Sequence, residues 1–208
     1  MNFAGAVLTG GRSSRMGRDK SFVEVGGIAM VARVATALSS SGCDPVVTIG
    51  GDASGLQRLG LATVPDMFPG EGPLGGVVTA LRWCPERPIM VVACDLPLLS
   101  GEVLVAMFEA AQEHPEVDVI VAATGRIEPL CAIWRPTAVP VIVARFELGD
   151  RAVHRVIGHL HSWVVEVPQL TMTNVNLPAD LPDDLPDDVP ADLPGVVPRS
   201  EPDRDAGG

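Results

Sequence analysis

Short apolar runs alternate with segments of helical period along most of this chain, and that alternation narrows its fold more than any other feature. Strands are expected near 3–9, 45–49, 61–64, 88–93, 117–122, 130–134 and 163–167. Several, such as Ile89-Met90-Val91-Val92-Ala93, are apolar without a break, as strands covered on both faces should be. Between them Ile28, Val31, Val34 and Leu38 recur at helical spacing with Gly42 just beyond as a stop signal. Val103, Met107 and Ala110 recur in the same way behind Ser100, a candidate cap. A βαβα order implies a mainly parallel sheet with helices on both faces and a ligand crevice at the carboxyl ends of the strands. The fold class is therefore α/β, in three layers.

With 208 residues, 47% of them hydrophobic, the chain can bury a sizeable core and suits one domain better than two. That domain is expected over residues 1–177. From 178 onward proline falls at every fourth position up to 202, with repeated Leu-Pro-Asp-Asp, so neither helix nor central strand can persist and residues 178–208 read as a solvated, extended, low-complexity tail. Nine acids and two arginines lie in the tail, so much of the net charge of −11 is local. Such a charge argues against nucleic acid, which demands clustered cations over a whole face. No apolar run is long enough to span a membrane and the N-terminus lacks the features of a signal peptide, which makes the cytoplasm the expected location. Cys43, Cys84, Cys94 and Cys131 are far apart, which suggests reduced, mostly buried thiols rather than a zinc site or disulfide framework.

The chemistry concentrates behind the first strand. Leu8-Thr9-Gly10-Gly11 is followed by Arg12-Ser13-Ser14-Arg15-Met16-Gly17-Arg18-Asp19-Lys20, and Lys20 is the only lysine in the chain. Glycines let a backbone approach a ligand, and exposed amides with Arg15 and a point-charge ammonium at Lys20 suit phosphates. The Gly-Lys-Ser/Thr of a Walker A loop is missing, as is the Gly-x-Gly-x-x-Gly dinucleotide fingerprint. A second element is Asp95, in Cys94-Asp95-Leu96-Pro97, directly after the most apolar strand. A carboxylate there is either a turn or cap residue or a hard oxygen ligand suited to Mg²⁺, which binds one or two carboxylates together with substrate phosphates; paired with the first loop, the metal reading is favoured. A third, Pro65-Asp66 followed by Gly70-Glu71-Gly72-Pro73-Leu74-Gly75-Gly76, is at least a tight turn with a glycine-rich helix entrance. His159 and His161 read as surface residues, and no Gly-x-Ser-x-Gly elbow supports acyl transfer.

Leu-x-Gly-Gly-x-Ser-x-Arg-Met-Gly-x-Asp-Lys resembles the N-terminal signature of the molybdenum cofactor guanylyltransferases, the MobA-type nucleotidyltransferases, and the resemblance extends over nearly all of residues 3–178. It implies a Rossmann-like three-layer nucleotidyltransferase fold and transfer of GMP from GTP to the phosphate of molybdopterin, with Mg²⁺ as cofactor. Lys20, Arg15 and Asp95 would then be catalytic, with Asp95 holding the metal. Leu8, Thr9, Gly10, Gly11, Asp66, Gly72, Pro73, Leu74 and Gly75 would contact the nucleotide along with Lys20 and Asp95. Glu128-Pro129-Leu130 occupies the place of a short motif near the pterin site. For the acceptor the resemblance points to Arg151, which reads equally as a solvated helix residue, and to Asn174 and Asn176 of Asn174-Val175-Asn176-Leu177-Pro178, which read equally as turn residues. Leu177 stands where the family has threonine, and the prolines that follow forbid the helix the family usually places there. Other molybdenum cofactor biosynthesis proteins are candidate partners. The alternatives are a cytidylyl- or sugar-phosphate nucleotidyltransferase, against which Thr9-Gly10-Gly11 weighs because cytidylyl relatives carry Ala-Ala-Gly, and a catalytically inactive nucleotide-binding regulatory module.

Overall fold

All seven expected strands join a single sheet. The computed structural model describes residues 2–9, 20–175 and 180. The strands are β1 (Phe3–Leu8), β4 (Cys43–Ile49), β5 (Thr63–Val64), β6 (Ile89–Ala93), β7 (Val119–Ala123), β8 (Ile127–Trp134) and β9 (Ser162–Glu166), in the spatial order β5-β4-β1-β6-β8-β7-β9. β8 alone in this sheet runs antiparallel to its neighbours. Its direction follows from the connection: only Thr124-Gly125-Arg126 separates it from β7, and a parallel neighbour would need a crossover of a dozen or more residues. Such crossovers are supplied elsewhere by α1 (Met30–Ser40), α2 (Ala53–Arg58), α3 (Pro73–Trp83), α4 (Gly101–Glu113), α5 (Val139–Glu147) and α6 (Val153–Ile157).

Strand alternation divides the interior into two layers. Phe3 and Val7 of β1, with Met90, Val92, Ile120 and Ile133, pack under α1 and α4, while Ala4, Ala6 and Leu8, with Val91, Val121 and Trp134, pack under α3, α5 and α6. Phe3 stacks on Phe108 of α4 at 4.6 Å. Each such large apolar side chain, buried fully, contributes about 1.5–3 kcal/mol relative to exposure, so the central strands hold the carboxyl-end loops firmly. Ser100 caps α4 as expected, accepting from the Val103 amide at 3.4 Å, an arrangement typically worth about 1 kcal/mol.

Two expectations change. Ile28 leaves the helix and joins a small hairpin of β2 (Glu24–Val25) and β3 (Ile28–Ala29), because Gly26 and Gly27 take φ of 61° and 79° and form a tight two-residue turn of the kind that hairpins favour. The run expected at 61–64 pairs over Thr63 and Val64 only, although the Ala62 carbonyl still accepts from Thr48. The boundary expected after residue 177 and the tail beyond it, Asp180 excepted, lie outside the described residues. Among those described, no helix is long and apolar enough to cross a membrane.

Candidate active site

At the carboxyl ends of β1 and β6, which are neighbours in the sheet, the chain closes a polar corner from three distant stretches. A single 3-10 turn, Lys20–Phe22, is pinned there by Ser21, which is wholly buried: its hydroxyl donates to the Thr9 carbonyl at 3.3 Å and lies 3.5 Å from Cys94 Sγ. The turn leaves Lys20 directed at the loop after β6, with Nζ 2.7 Å from Asp95 Oδ2 and 3.2 Å from Asn174 Oδ1. Asp95 is anchored by its own backbone, since Cys94 N donates to the Leu8 carbonyl at 3.1 Å and the Asp95 carbonyl accepts from Val175 N at 2.9 Å. That last bond also fixes Asn174 beside the pair.

Lys20 and Asp95 side chains are 18% and 19% exposed. At this separation and an effective dielectric near 20 the gross attraction is about 6 kcal/mol, most of which desolvation cancels. The pair is therefore weak evidence of a stabilising device and better evidence of a site. Asp95 Oδ1 is buried and has no hydrogen-bond partner among the described residues. An unpaired carboxylate oxygen is costly unless something occupies it, and with the Asn174 amide oxygen nearby the donor chemistry fits Mg²⁺, a hard ion that takes one or two carboxylates and leaves its other positions to water and phosphate. No group of three or more His, Cys, Asp or Glu gathers among the described residues, so a closed protein cage for a metal is not found there.

Leu8 and Thr9 are engaged internally. The Leu8 carbonyl accepts from Cys94, and Thr9 sends both its amide and its hydroxyl to the Ile49 carbonyl, at 3.2 and 2.9 Å. Gly10, Gly11 and Arg15 lie outside the described residues, as does Asn176.

A second corner forms at the same end of the sheet, where β5 leads into α3. The order β5-β4-β1-β6 puts the end of β5 three strand spacings from that of β6, roughly 14 Å, while α3 crosses back over β1, where Gly76 packs against Leu8. Asp66 Oδ1 accepts from the Phe68 amide at 2.9 Å and lies 3.1 Å from the Thr79 hydroxyl, which in turn lies 2.9 Å from the Gly75 carbonyl. Gly72 takes φ of 81° to start α3, with Pro73 in its first turn. A side chain on Gly75 would come within 2.9 Å of Phe68 Cβ. Leu74 is wholly buried in the core, and in the first turn of α3 Pro73 has no amide and the Gly75 amide donates to the Gly72 carbonyl at 3.1 Å, so what this helix start offers an anion is the Leu74 amide and the helix dipole. Arg151 joins this second corner: Nε meets Glu71 Oε2 at 2.5 Å, Nη1 donates to the Phe146 and Asp150 carbonyls at 2.7 and 2.8 Å, and the guanidinium lies 4.1 Å from the Phe146 ring centroid. Its partners among the described residues tie the loop before α3 to the end of α5. They do not include Lys20, Asp95 or Asn174.

Glu128, Pro129 and Leu130 sit where β8 enters the crevice. Val121 pairs with Ala132 but Ala122 pairs with Glu128, so residues 129–131 bulge out of the β7 ladder at a proline that has no amide to donate. All four cysteines are buried, and burial pushes the Cys43 and Cys131 thiols up to about 12, with Glu128 adding to the effect at Cys131. His159 and His161 are exposed.

Three contributors to the first corner were not anticipated from sequence: Ser21, Val175 and Arg33. Val175 is buried against Val25 and Met30, which fastens Asn174 to the β2–β3 hairpin. Arg33 is buried on α1 and bonded to carbonyls on both sides of the corner, with burial drawing its guanidinium below the ordinary arginine range. A signal for Arg33 existed, since it is the one charge between Glu24 and Asp44 in an otherwise apolar helix.

Comparison with known proteins shows the family and the fold. A family model described as MobA-like NTP transferase domain matches residues 5–163. A protein of Carboxydothermus hydrogenoformans named "Probable molybdenum cofactor guanylyltransferase" is 32% identical over 86% of this chain and 93% of its own length. The molybdenum cofactor guanylyltransferase of Rhodobacter capsulatus is likewise 32% identical over 86% and 93% of the two chains. Among solved structures, molybdopterin-guanine dinucleotide biosynthesis protein A from Archaeoglobus fulgidus superposes with a TM-score of 0.69, covering 85% of this chain and 94% of that one at 24% identity, a likeness that speaks for the fold.

Proposed function

Because the chain belongs to the MobA-like NTP transferase family and is a nucleotidyltransferase, we propose that it transfers GMP from GTP to the phosphate of molybdopterin, giving the guanine dinucleotide cofactor. In this reaction an oxygen of the acceptor phosphate forms a new bond to the α-phosphorus of GTP. The bond from that phosphorus to the oxygen bridging toward the β-phosphate breaks, and pyrophosphate leaves with the electron pair. The attacking oxygen is already anionic, so no general base is required, and catalysis rests on positioning and charge neutralisation.

The observation that supports this reading is the meeting of Lys20, Asp95 and Asn174 within hydrogen-bond distance. Lys20 would place an ammonium on the triphosphate as charge shifts onto the leaving group. Asp95, through its unpaired Oδ1, with the Asn174 amide oxygen, would hold Mg²⁺. When bound, that ion would neutralise phosphate charge and orient the triphosphate. Ser21 and the Val175 amide keep the lysine and the carboxylate in register. The start of α3 at Gly72–Gly75, through the Leu74 amide and the helix dipole and with Asp66 shaping the loop before it, would take the other end of the nucleotide. Arg15, Gly10, Gly11 and Asn176 keep the roles that the family resemblance gives them.

Pyrophosphate release on mixing protein, GTP, Mg²⁺ and molybdopterin tests the proposal. Release with GTP, and little with CTP in its place, is the expected result. Preference for CTP would turn the reading to a cytidylyltransferase, and nucleotide binding without release would turn it to a regulatory module.

A further inference from the structure

We infer that Arg33 is a positioning residue for the Lys20–Asp95–Asn174 corner, a role that rests on reading that corner as the active site. Its guanidinium spans the two pieces of backbone that must hold still for Lys20 to meet Asp95: Nε donates to the Pro97 carbonyl at 3.3 Å, in the loop that carries Asp95, and Nη1 donates to the Val25 carbonyl at 2.9 Å, in the hairpin that follows Lys20. The third piece is tied in through the same hairpin, because Val25 and Met30 bury Val175, whose amide donates to the Asp95 carbonyl. One side chain on a central helix thus braces all three stretches.

Stability alone does not explain a cation there. Arg33 is 8% exposed, has no carboxylate within ion-pair distance among the described residues, and leaves Nη2 buried without a hydrogen-bond partner among them. A buried charge in such surroundings is expensive, and an apolar side chain of similar volume commonly serves a core as well or better. What the guanidinium does that an apolar chain cannot is fix two carbonyls at a set separation through a rigid fork of donors. Lysine has three donors, but they turn about a single point on a flexible stem and fix no set separation between two carbonyls.

Arg33→Met and Arg33→Lys test the inference, read by steady-state kinetics with GTP, Mg²⁺ and molybdopterin and by amide hydrogen exchange on the free protein. In Arg33→Met, kcat should fall about 10²-fold, the order of loss that a misplacement of about 1 Å produces, while KM for GTP changes little. Arg33→Lys should lie between it and wild type. Exchange should quicken at the Val175 and Met30 amides and stay unchanged in α4 and β7, a local pattern that general destabilisation does not give. Wild-type turnover in Arg33→Met, or exchange quickened evenly across the sheet, overturns the assignment. Should Arg33→Met fail to fold, Arg33→Lys carries both readouts with the same criteria. A wild-type protein that releases no pyrophosphate refutes the reading of the reaction instead. The exchange pattern then judges Arg33 by itself: local loosening upholds the brace, and its absence sinks it.

Discussion

The two corners of the crevice are built on opposite principles. At Lys20, Asp95 and Asn174 charged and polar atoms from three distant stretches face one another, and one carboxylate oxygen is left without a protein partner among the described residues. At Asp66, Gly72–Gly75 and Arg151 the ionisable groups are bonded to their own surroundings: Asp66 to Phe68 and Thr79, Arg151 to Glu71 and the Phe146 carbonyl. Spare bonding capacity marks the first corner as the place where a substrate would meet charge. The second corner offers shape and backbone. Substitutions should divide accordingly, the first set acting on turnover and the second on folding and substrate affinity.

The largest effect is expected at Asp95. Asp95→Ala should remain folded and lose turnover by about 10²–10³-fold or more, as removal of one preorganised electrostatic contact commonly does. Mn²⁺ titration in the presence of GTP, followed by electron paramagnetic resonance, should show the metal bound more weakly. Full activity with undiminished metal affinity would erase the contrast between the corners. Lys20→Arg sharpens it further, because it keeps the charge and changes only the point-donor geometry. An intermediate loss of kcat is expected, and wild-type kcat would mean that geometry at Nζ matters little.

Much of the first corner was legible in the sequence because it depends on scarcity and position. A single lysine behind a glycine-rich loop and a carboxylate directly after the most apolar strand are features that residue type and strand end reveal together. The antiparallel β8 was also within reach, from the brevity of Thr124-Gly125-Arg126. What could not be read was whatever acts through carbonyls. Arg33 bonds to Val25 and Pro97 through their backbone oxygens, which have no residue signature, and Val175 owes its burial to a hairpin hidden inside an apparent helical period that Ile28 extends by coincidence. The internal bonding of Asp66 is illegible for a similar reason: its partner Thr79 stands thirteen residues on, brought back by the geometry of α3.

In the second corner, Gly75→Ala should lower stability by about 1–3 kcal/mol, because the new methyl group would press on Phe68 at a distance that real Cβ atoms do not tolerate. Urea denaturation measures the change. Asp66→Ala should act in the same direction and somewhat less, at about 1–2 kcal/mol for a turn carboxylate that satisfies the Phe68 amide. For both variants KM for GTP should rise while kcat of the saturated enzyme stays near wild type. A collapse of kcat at saturating GTP in Asp66→Ala, with folding intact, would move that carboxylate into the chemistry and end the division of labour.

The smallest effect belongs to the Arg151–Glu71 pair. Both side chains are substantially solvated, 37% and 49% exposed, so their attraction is screened and such a pair is worth about 0–1 kcal/mol. Glu71→Gln removes the charge with little change of shape and leaves Arg151 its bonds to the Phe146 and Asp150 carbonyls and its place over the Phe146 ring. Thermal unfolding should shift slightly at low salt and not at all at high salt, and kcat should not move. Arg151→Met then separates bracing from recognition. If Arg151 only steadies the loop before α3, its loss resembles that of Glu71 with a little more stability forfeited, whereas a rise in KM for molybdopterin that Glu71→Gln does not share would show that the guanidinium turns from Glu71 to the acceptor when substrate arrives.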